Sequence, residues 1–242
     1  MTVLKIGGSV LTHKSEEESL DDEAFEDVVD AVSEADSDIH NLILVHGAGS
    51  FGHPQAERGG LKQGTHDARG VHETHSAVSR LNSKLVGSLI EGGVDAVSVH
   101  PFSCTRRDEN GLSMMTDQIE SLLDEGFTPV LHGDCTVEKG RGVSVVSGDA
   151  LSVEMARVFG GSLGMCTSAG GVLDSDGEVV DRVTDVSEVD VFDDDATDVT
   201  GGIRNKVDAI LGLESGGYVF GRHELRGFLS GGDVGTLIKR SE

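Results

Sequence analysis

The chain has 242 residues, with 43 acidic side chains against 19 basic ones and a formal net charge of −24. At ~100–200 residues per domain that is one large domain or two small ones. A field of this sign repels phosphate backbones and anionic lipid, and no run of basic residues relieves it, so nucleic acid and membrane surfaces are excluded as partners.

Lysine supplies only seven of the cations and aromatic residues only 4% of the chain. An acid excess with scarce lysine reads as adaptation of a soluble protein to high salt, where screening removes much of the self-repulsion. Cys104, Cys135 and Cys166 are odd in number and far apart, which supports neither a disulfide framework nor a CxxC metal site. No signal-peptide pattern precedes Thr2, and no segment reaches the ~18 apolar residues of a membrane span. The expectation is a soluble protein of the reduced cytoplasm.

In chain order, the patterning predicts a strand over 2–6 and a helix from Asp21 to Ala35. Phe25, Val28, Val29 and Val32 line one side of that helix, and Ser19 or Asp21 caps it. A strand follows over 41–46, then a long helix from about Asp67 to Glu91, a strand over 94–99, a helix from Asp117 to Glu125 and a strand over 128–132. Thr136 to Val146 reads as a hairpin turning at Lys139-Gly-Arg-Gly142. A helix from Asp149 to Phe159, a strand over 162–167, a second hairpin from Gly171 to Val180, a helix from Gly202 to Leu213 and a strand over 217–220 complete the series. Strands alternating with helices imply an α/β fold with a mainly parallel sheet and helices on both faces. A boundary near 160 divides one continuous domain into an acceptor-binding half, about 1–160, and a nucleotide-binding half, about 161–242.

Glycine, at 34 residues, is about twice its ordinary share of ~7%, and it clusters where strands end. Lys5-Ile-Gly-Gly-Ser9 closes the first strand and His46-Gly-Ala-Gly-Ser-Phe-Gly-His53 the second, while Ser147-Gly-Asp149 and Thr200-Gly-Gly202 each open a helix. At such junctions main-chain N–H groups approach an anion and the helix dipole adds to the attraction. Residues 47–52 satisfy GxGxxG, but they follow the second strand, and Asp67, the acid at the right distance, begins a helix. A dinucleotide fingerprint needs the first strand and an acid at the end of the next. Gly-Lys never occurs, so there is no Walker A loop.

Lys5 lies inside an apolar strand, where a cation has no place unless it meets an anion. With Lys14 and Lys206 beside other glycine turns, it offers the charge that phosphoryl transfer requires. Asp149 suits the first turn of a helix and also a carboxylate holding two ammonium groups apart. His53 closes the second glycine turn and is placed to donate to a phosphate. His72 and His75 lie three apart on the long helix, but without HExxH or a Cys/His cluster no metal site is expected.

These motifs together resemble the amino acid kinase superfamily and, within it, the archaeal isopentenyl phosphate kinases. The resemblance spans nearly the whole chain: Lys5-Ile-Gly-Gly-Ser-Val-Leu-Thr-His-Lys14, the Gly-Ser-Phe-Gly-His ending at His53, Ser147-Gly-Asp149, Asp198-Val-Thr-Gly-Gly-Ile-Arg-Asn-Lys206 and Gly235-Thr236. It implies an open αβα sandwich, a homodimer, and transfer of the γ-phosphate of ATP, with Mg2+, to isopentenyl phosphate. By matching positions, Lys5 and Lys14 would contact the transferring group. Gly7, Gly8, Ser9, Gly49, Thr167, Gly202 and Lys206 would face the nucleotide. Ala48, His53 and Gly148 would hold the acceptor phosphate, and Asp149 would organise the lysines. Thr167-Ser-Ala-Gly-Gly171 departs from the Thr-Asp-Val-Asp-Gly of relatives. The acceptor's tail slot is sought among Val71, Val78, Leu81 and Leu85. The alternatives are a same-fold kinase for a phosphonate such as fosfomycin, glutamate or UMP, and a non-catalytic nucleotide-sensing module.

Overall fold

The structure, a computed structural model, describes residues 1–35, 41–189 and 202–241. Its strands are β1 Thr2–Ile6, β2 Leu42–His46, β3 Ala96–Ser98, β4 Thr105–Asp108, β5 Gly111–Met114, β6 Thr128–His132, β7 Asp134–Glu138, β8 Gly142–Val146, β9 Ser162–Cys166, β10 Arg182–Val183, β11 Gly217–Phe220 and β12 Thr236–Ile238. Its α-helices are α1 Gly8–Leu11, α2 Asp22–Ala35, α3 Gly49–Arg58, α4 Ala68–Glu91, α5 Asp117–Asp124, α6 Gly148–Phe159, α7 Gly202–Leu211 and α8 Leu225–Leu229.

Eight strands form one sheet in the order β10-β12-β11-β9-β1-β2-β6-β3. From β11 to β3 every pairing is parallel, whereas β12 runs antiparallel to β11 and carries the edge strand β10 parallel to itself. β1 sits at the centre, paired with β2 on one side and β9 on the other, with Lys5 level with Val45 and Met165. Period-two alternation sorts its side chains. Leu4 and Ile6 enter the cluster made by Phe25, Val28 and Val32 of α2 and Leu85 and Leu89 of α4. Val3 enters the opposite cluster, with Leu151 and Met155 of α6 and Val207 and Ile210 of α7. Lys5 therefore points toward α6 and α7. At about 1.5–3 kcal/mol for each fully buried aliphatic side chain, these two layers hold the sheet that positions the site.

All six expected strands and five expected helices are present, with ends moved by a few residues at most. Asp21 caps α2 through the Ala24 amide, 3.1 Å away. A second, four-stranded sheet, β5-β4-β7-β8, was foreseen only in its β7–β8 hairpin. The expected hairpin at 171–180 turns at Ser175-Asp176-Gly177 and pairs through the Leu173–Val179 bridge, with the Val180 and Asp174 amides donating to Val172 O and Glu178 O at 2.9 Å. It is shorter than a full ladder, the Asp174 carboxylate taking the Asp176 and Glu178 amides at 2.9 and 3.0 Å.

Helix α3 contradicts the reading of His53 as the end of a turn. The turn ends at Gly49, and Ser50 to His53 are helical. Gly52 and Pro54 concealed this, both being helix breakers in sequence. Gly52 is needed because a side chain there would strike Val78 of α4. Pro54 deprives the Ser50 carbonyl of its helical donor, and the Glu18 amide replaces it at 3.1 Å.

Candidate active site

The parallel strands deliver their carboxyl ends to one edge of the sheet, where the glycine turns interlock. The Gly7 amide donates to Cys166 O (2.9 Å), Gly47 to Ile6 O (2.9 Å) and Gly133 to His46 O (2.8 Å), so adjacent turns leave the sheet in step. A side chain on Gly8 would strike the Gly49 backbone, and one on Gly47 the Gly8 backbone. The first two glycine turns thus pack main chain against main chain. Gly49 adopts φ +51°, a left-handed conformation that glycine takes without strain. A methyl group placed on Gly133 would lie 3.4 Å from both the Ala48 and the Gly148 amide nitrogens. Two expected phosphate-cradle positions, Ala48 and Gly148, therefore meet around Gly133. Gly133 was itself overlooked, although a glycine directly after a strand was the signal used elsewhere.

Lys5 is 7% exposed. Its ammonium lies 2.7 Å from Asp149 Oδ1, and that of Lys206 lies 3.5 Å from Oδ2. Ser147 caps α6 through the Ala150 amide at 3.1 Å, which fixes Asp149 in the first helical turn. Burial alone would raise the Asp149 carboxyl. The attraction of Lys5, and then of Lys206, outweighs it and holds the group at about 2. One permanently charged carboxylate thus spaces two ammonium groups at the edge of the glycine cradle.

Lys14 is exposed on the loop 12–20. That loop is fastened to α3 by the Thr12 hydroxyl, which accepts from the Ser50 amide (3.0 Å), and by Gln55 Nε2 donating to Glu18 Oε1 (3.3 Å). Arg80 of α4 also donates to Glu18, at 3.0 Å. His53 is exposed on the first turns of α3, so Lys14 and His53 share one scaffold. Glu18, with φ +52°, is its keystone, and nothing in local spacing signals it.

On the β9 side, the Thr167 hydroxyl is buried with no hydrogen-bond partner among the described residues. The Ser9 and Ser168 hydroxyls lie 3.2 Å apart, so the loop 167–171 abuts the turn containing Gly7, Gly8 and Ser9. Gly202 opens α7 at φ +67°, with none of the described residues within 4 Å of where a side chain would stand. Residues 198–201 of the fourth motif lie outside the described residues.

A second feature was not expected. Beside the cradle, α4 and β8 flank an open cleft of about 470 Å³ lined by Val71, His72, His75, Phe102, Val143 and their neighbours. Of the four aliphatic residues proposed for a tail slot, only Val71 lines it. Val78, Leu81 and Leu85 are 0–1% exposed and belong to the core. Behind the cleft, His46 bonds Asn82 Oδ1 (3.0 Å), and Asn82 Nδ2 donates to Ser98 Oγ (3.0 Å). Burial pushes His46 below its ordinary value, and His132 down to about 3.

Comparison with known proteins agrees with this geometry. The chain matches the amino acid kinase family over residues 1–217, and it belongs to that family. Within the family it is similar to the isopentenyl phosphate kinases. It is 42% identical to that of Haloferax volcanii, covering 99% of this chain and 98% of the relative. It is 33% identical to that of Methanothermobacter thermautotrophicus, covering 90% and 88%. A crystallised isopentenyl phosphate kinase superposes with a TM-score of 0.84 at 26% identity over 99% of both chains. A uridylate kinase from Archaeoglobus fulgidus, at 16% identity and a TM-score of 0.65 over 98% of each chain, shares the fold.

Proposed function

We propose that the protein phosphorylates isopentenyl phosphate with ATP, giving isopentenyl diphosphate and ADP. The observation that carries this reading is Asp149 held between Lys5 and Lys206 at the cradle of Ala48, Gly133 and Gly148. A phosphate monoester with a second pKa of ~6 is already a nucleophilic anion at neutral pH. No general base is required. An acceptor oxygen attacks the γ-phosphorus, the bond to the ADP oxygen breaks, and the electron pair leaves on ADP. The obstacle is bringing two polyanions together, which positioned cations and amides overcome.

In this reading Lys5 and Lys206 meet the nucleotide phosphates, Asp149 sets their separation, and Lys14 neutralises the transferring group. His53 and the Ala48 and Gly148 amides hold the acceptor phosphate. The buried Thr167 hydroxyl, with Gly7, Gly8, Ser9, Gly49 and Gly202, faces ATP. Asp149 has both oxygens engaged by lysines and makes a poor metal ligand. Mg2+ is therefore read as arriving on the nucleotide, where it offsets phosphate charge.

The apolar cleft beside the cradle suits a short hydrocarbon tail. Residues 1–160 then hold the acceptor, with Lys5, Gly7, Gly8, Ser9 and Gly49 reaching across to ATP, and 161–242 complete the nucleotide site, in a cytoplasmic homodimer adapted to salt.

A coupled ADP-release assay with isopentenyl phosphate, dimethylallyl phosphate, fosfomycin, glutamate and UMP tests the assignment. Turnover with isopentenyl phosphate well above the other classes is the expected result. No turnover with either isoprenoid phosphate overturns it.

A further inference from the structure

We propose that His75, His100 and Asp134 form a site for a divalent transition metal, separate from the phosphoryl-transfer centre. The three come from α4, the segment after β3 and the start of β7, and one donor atom of each lies within 4.8 Å of the other two. Tetrahedral bonds of ~2.0–2.1 Å put two ligands of one zinc ion ~3.3–3.4 Å apart, so donors up to 4.8 Å apart must close by up to ~1.4 Å, shared between two side chains.

The surroundings are those of a metal site. The Asp134 side chain is 0% exposed, and its oxygens are fixed by the Cys135 amide at 2.7 Å and the Phe102 amide at 3.2 Å. His75 Nδ1 lies 2.8 Å from Asp134 Oδ1, so an ion there takes the place of the proton between them.

His100 Nδ1 lies 3.0 Å from His132 Nε2, and His132 Nδ1 lies 3.1 Å from the Gly133 carbonyl. His100 thus has the kind of fixed ring partner that normally orients a ligating histidine.

His75 is 31% exposed and lines the cleft with His66 and His72, which gives an ion a route in and leaves coordination positions for water. Two imidazoles and one carboxylate select Zn2+, Co2+ or Ni2+ over Mg2+, which prefers oxygen donors.

Cobalt(II) added to chelator-treated protein, without nucleotide, tests this through its visible d–d absorption. One saturable equivalent, displaced by Zn2+ but not by excess Mg2+, is expected. His75→Gln and His100→Gln should each weaken uptake by at least ~10-fold, while His66→Gln and His72→Gln leave it within about twofold. No stoichiometric spectrum overturns the proposal. So does a spectrum that survives in folded His75→Gln, or one lost in His66→Gln or His72→Gln. Should His100→Gln fail to fold by circular dichroism, the partly exposed His75→Gln decides alone.

Discussion

Two carboxylates, each at the start of an element beside the glycine cradle, are stabilised in opposite ways. Asp149 opens α6 and is matched by two ammonium groups. Asp134 opens β7 and is matched by one imidazole and two main-chain amides. Ammonium partners keep a carboxylate charged across the working pH range and make it a fixed spacer. An imidazole partner shares a proton that can be exchanged. The first arrangement suits a site that must present constant charge to phosphates, and the second a site that can trade its proton for an ion.

Asparagine at each position breaks the comparison most directly. Asp149→Asn leaves two ammonium groups without their carboxylate. The expected cost is about 2–3 kcal/mol, below the ~3–5 of a fully buried pair because the Asp149 side chain is 23% exposed. Asp134→Asn loses the charge facing His75 and also sets an NH2 group against the Cys135 or the Phe102 amide, which donate to different carboxylate oxygens, so about 1–3 kcal/mol is expected. Denaturant unfolding measures both variants. Unchanged stability of Asp149→Asn would refute the contrast.

Lys14→Ala should lower kcat by about 10²-fold, the scale of one lost transition-state donor, with each KM changed little. Unaltered kcat removes Lys14 from the transition state. His53→Ala should raise the acceptor KM by about tenfold, the scale of ~1.4 kcal/mol of lost binding, and leave that of ATP within twofold. Equal rises for both substrates would take His53 out of the acceptor site.

The smallest effect is in pH dependence. Asp149 is held at about 2 against an ordinary 3.8. Its contribution is therefore present above 3.8 and lost as pH falls through about 2, so it is flat from pH 4 to 8. The hydrogen bond to Asp134 raises His75 above its ordinary 6.5. That contribution is full below 6.5 and fades as pH climbs through the raised value. Carboxyl and imidazole NMR titrations of the metal-free protein should give no Asp149 inflection between 4 and 8, and a His75 midpoint above 6.5. A midpoint at or below 6.5 would mean that the bond to Asp134 does not form in solution.

Much of the rim of glycine turns and lysines was legible because its signals are local. A lysine in an apolar strand, glycines at strand ends and an acid at a helix start each stand out within a few residues. Helix α3 was misread because Gly52 and Pro54 argue against a helix locally. Only the close approach of Val78 and the donor from Glu18 make both residues acceptable there. The histidine cluster was invisible for a related reason. His75, His100, His132 and Asp134 share no spacing rule, and the sequence argued against a metal.

The amino-acid sequence by itself determined the alternation of strands and helices, the apolar faces that order them into a parallel sheet, and the glycine turns that bring main-chain amides to one edge. These follow from periodicities and backbone freedoms that operate over a few residues. Only the tertiary structure decided that Asp149 lies between Lys5 and Lys206, that the loop of Lys14 is fastened to α3 through Glu18, and that three distant side chains surround one point beside the cleft. Such contacts join residues as far apart as Lys5 and Asp149, and the packing of whole elements, not the propensity of any segment, sets their distances.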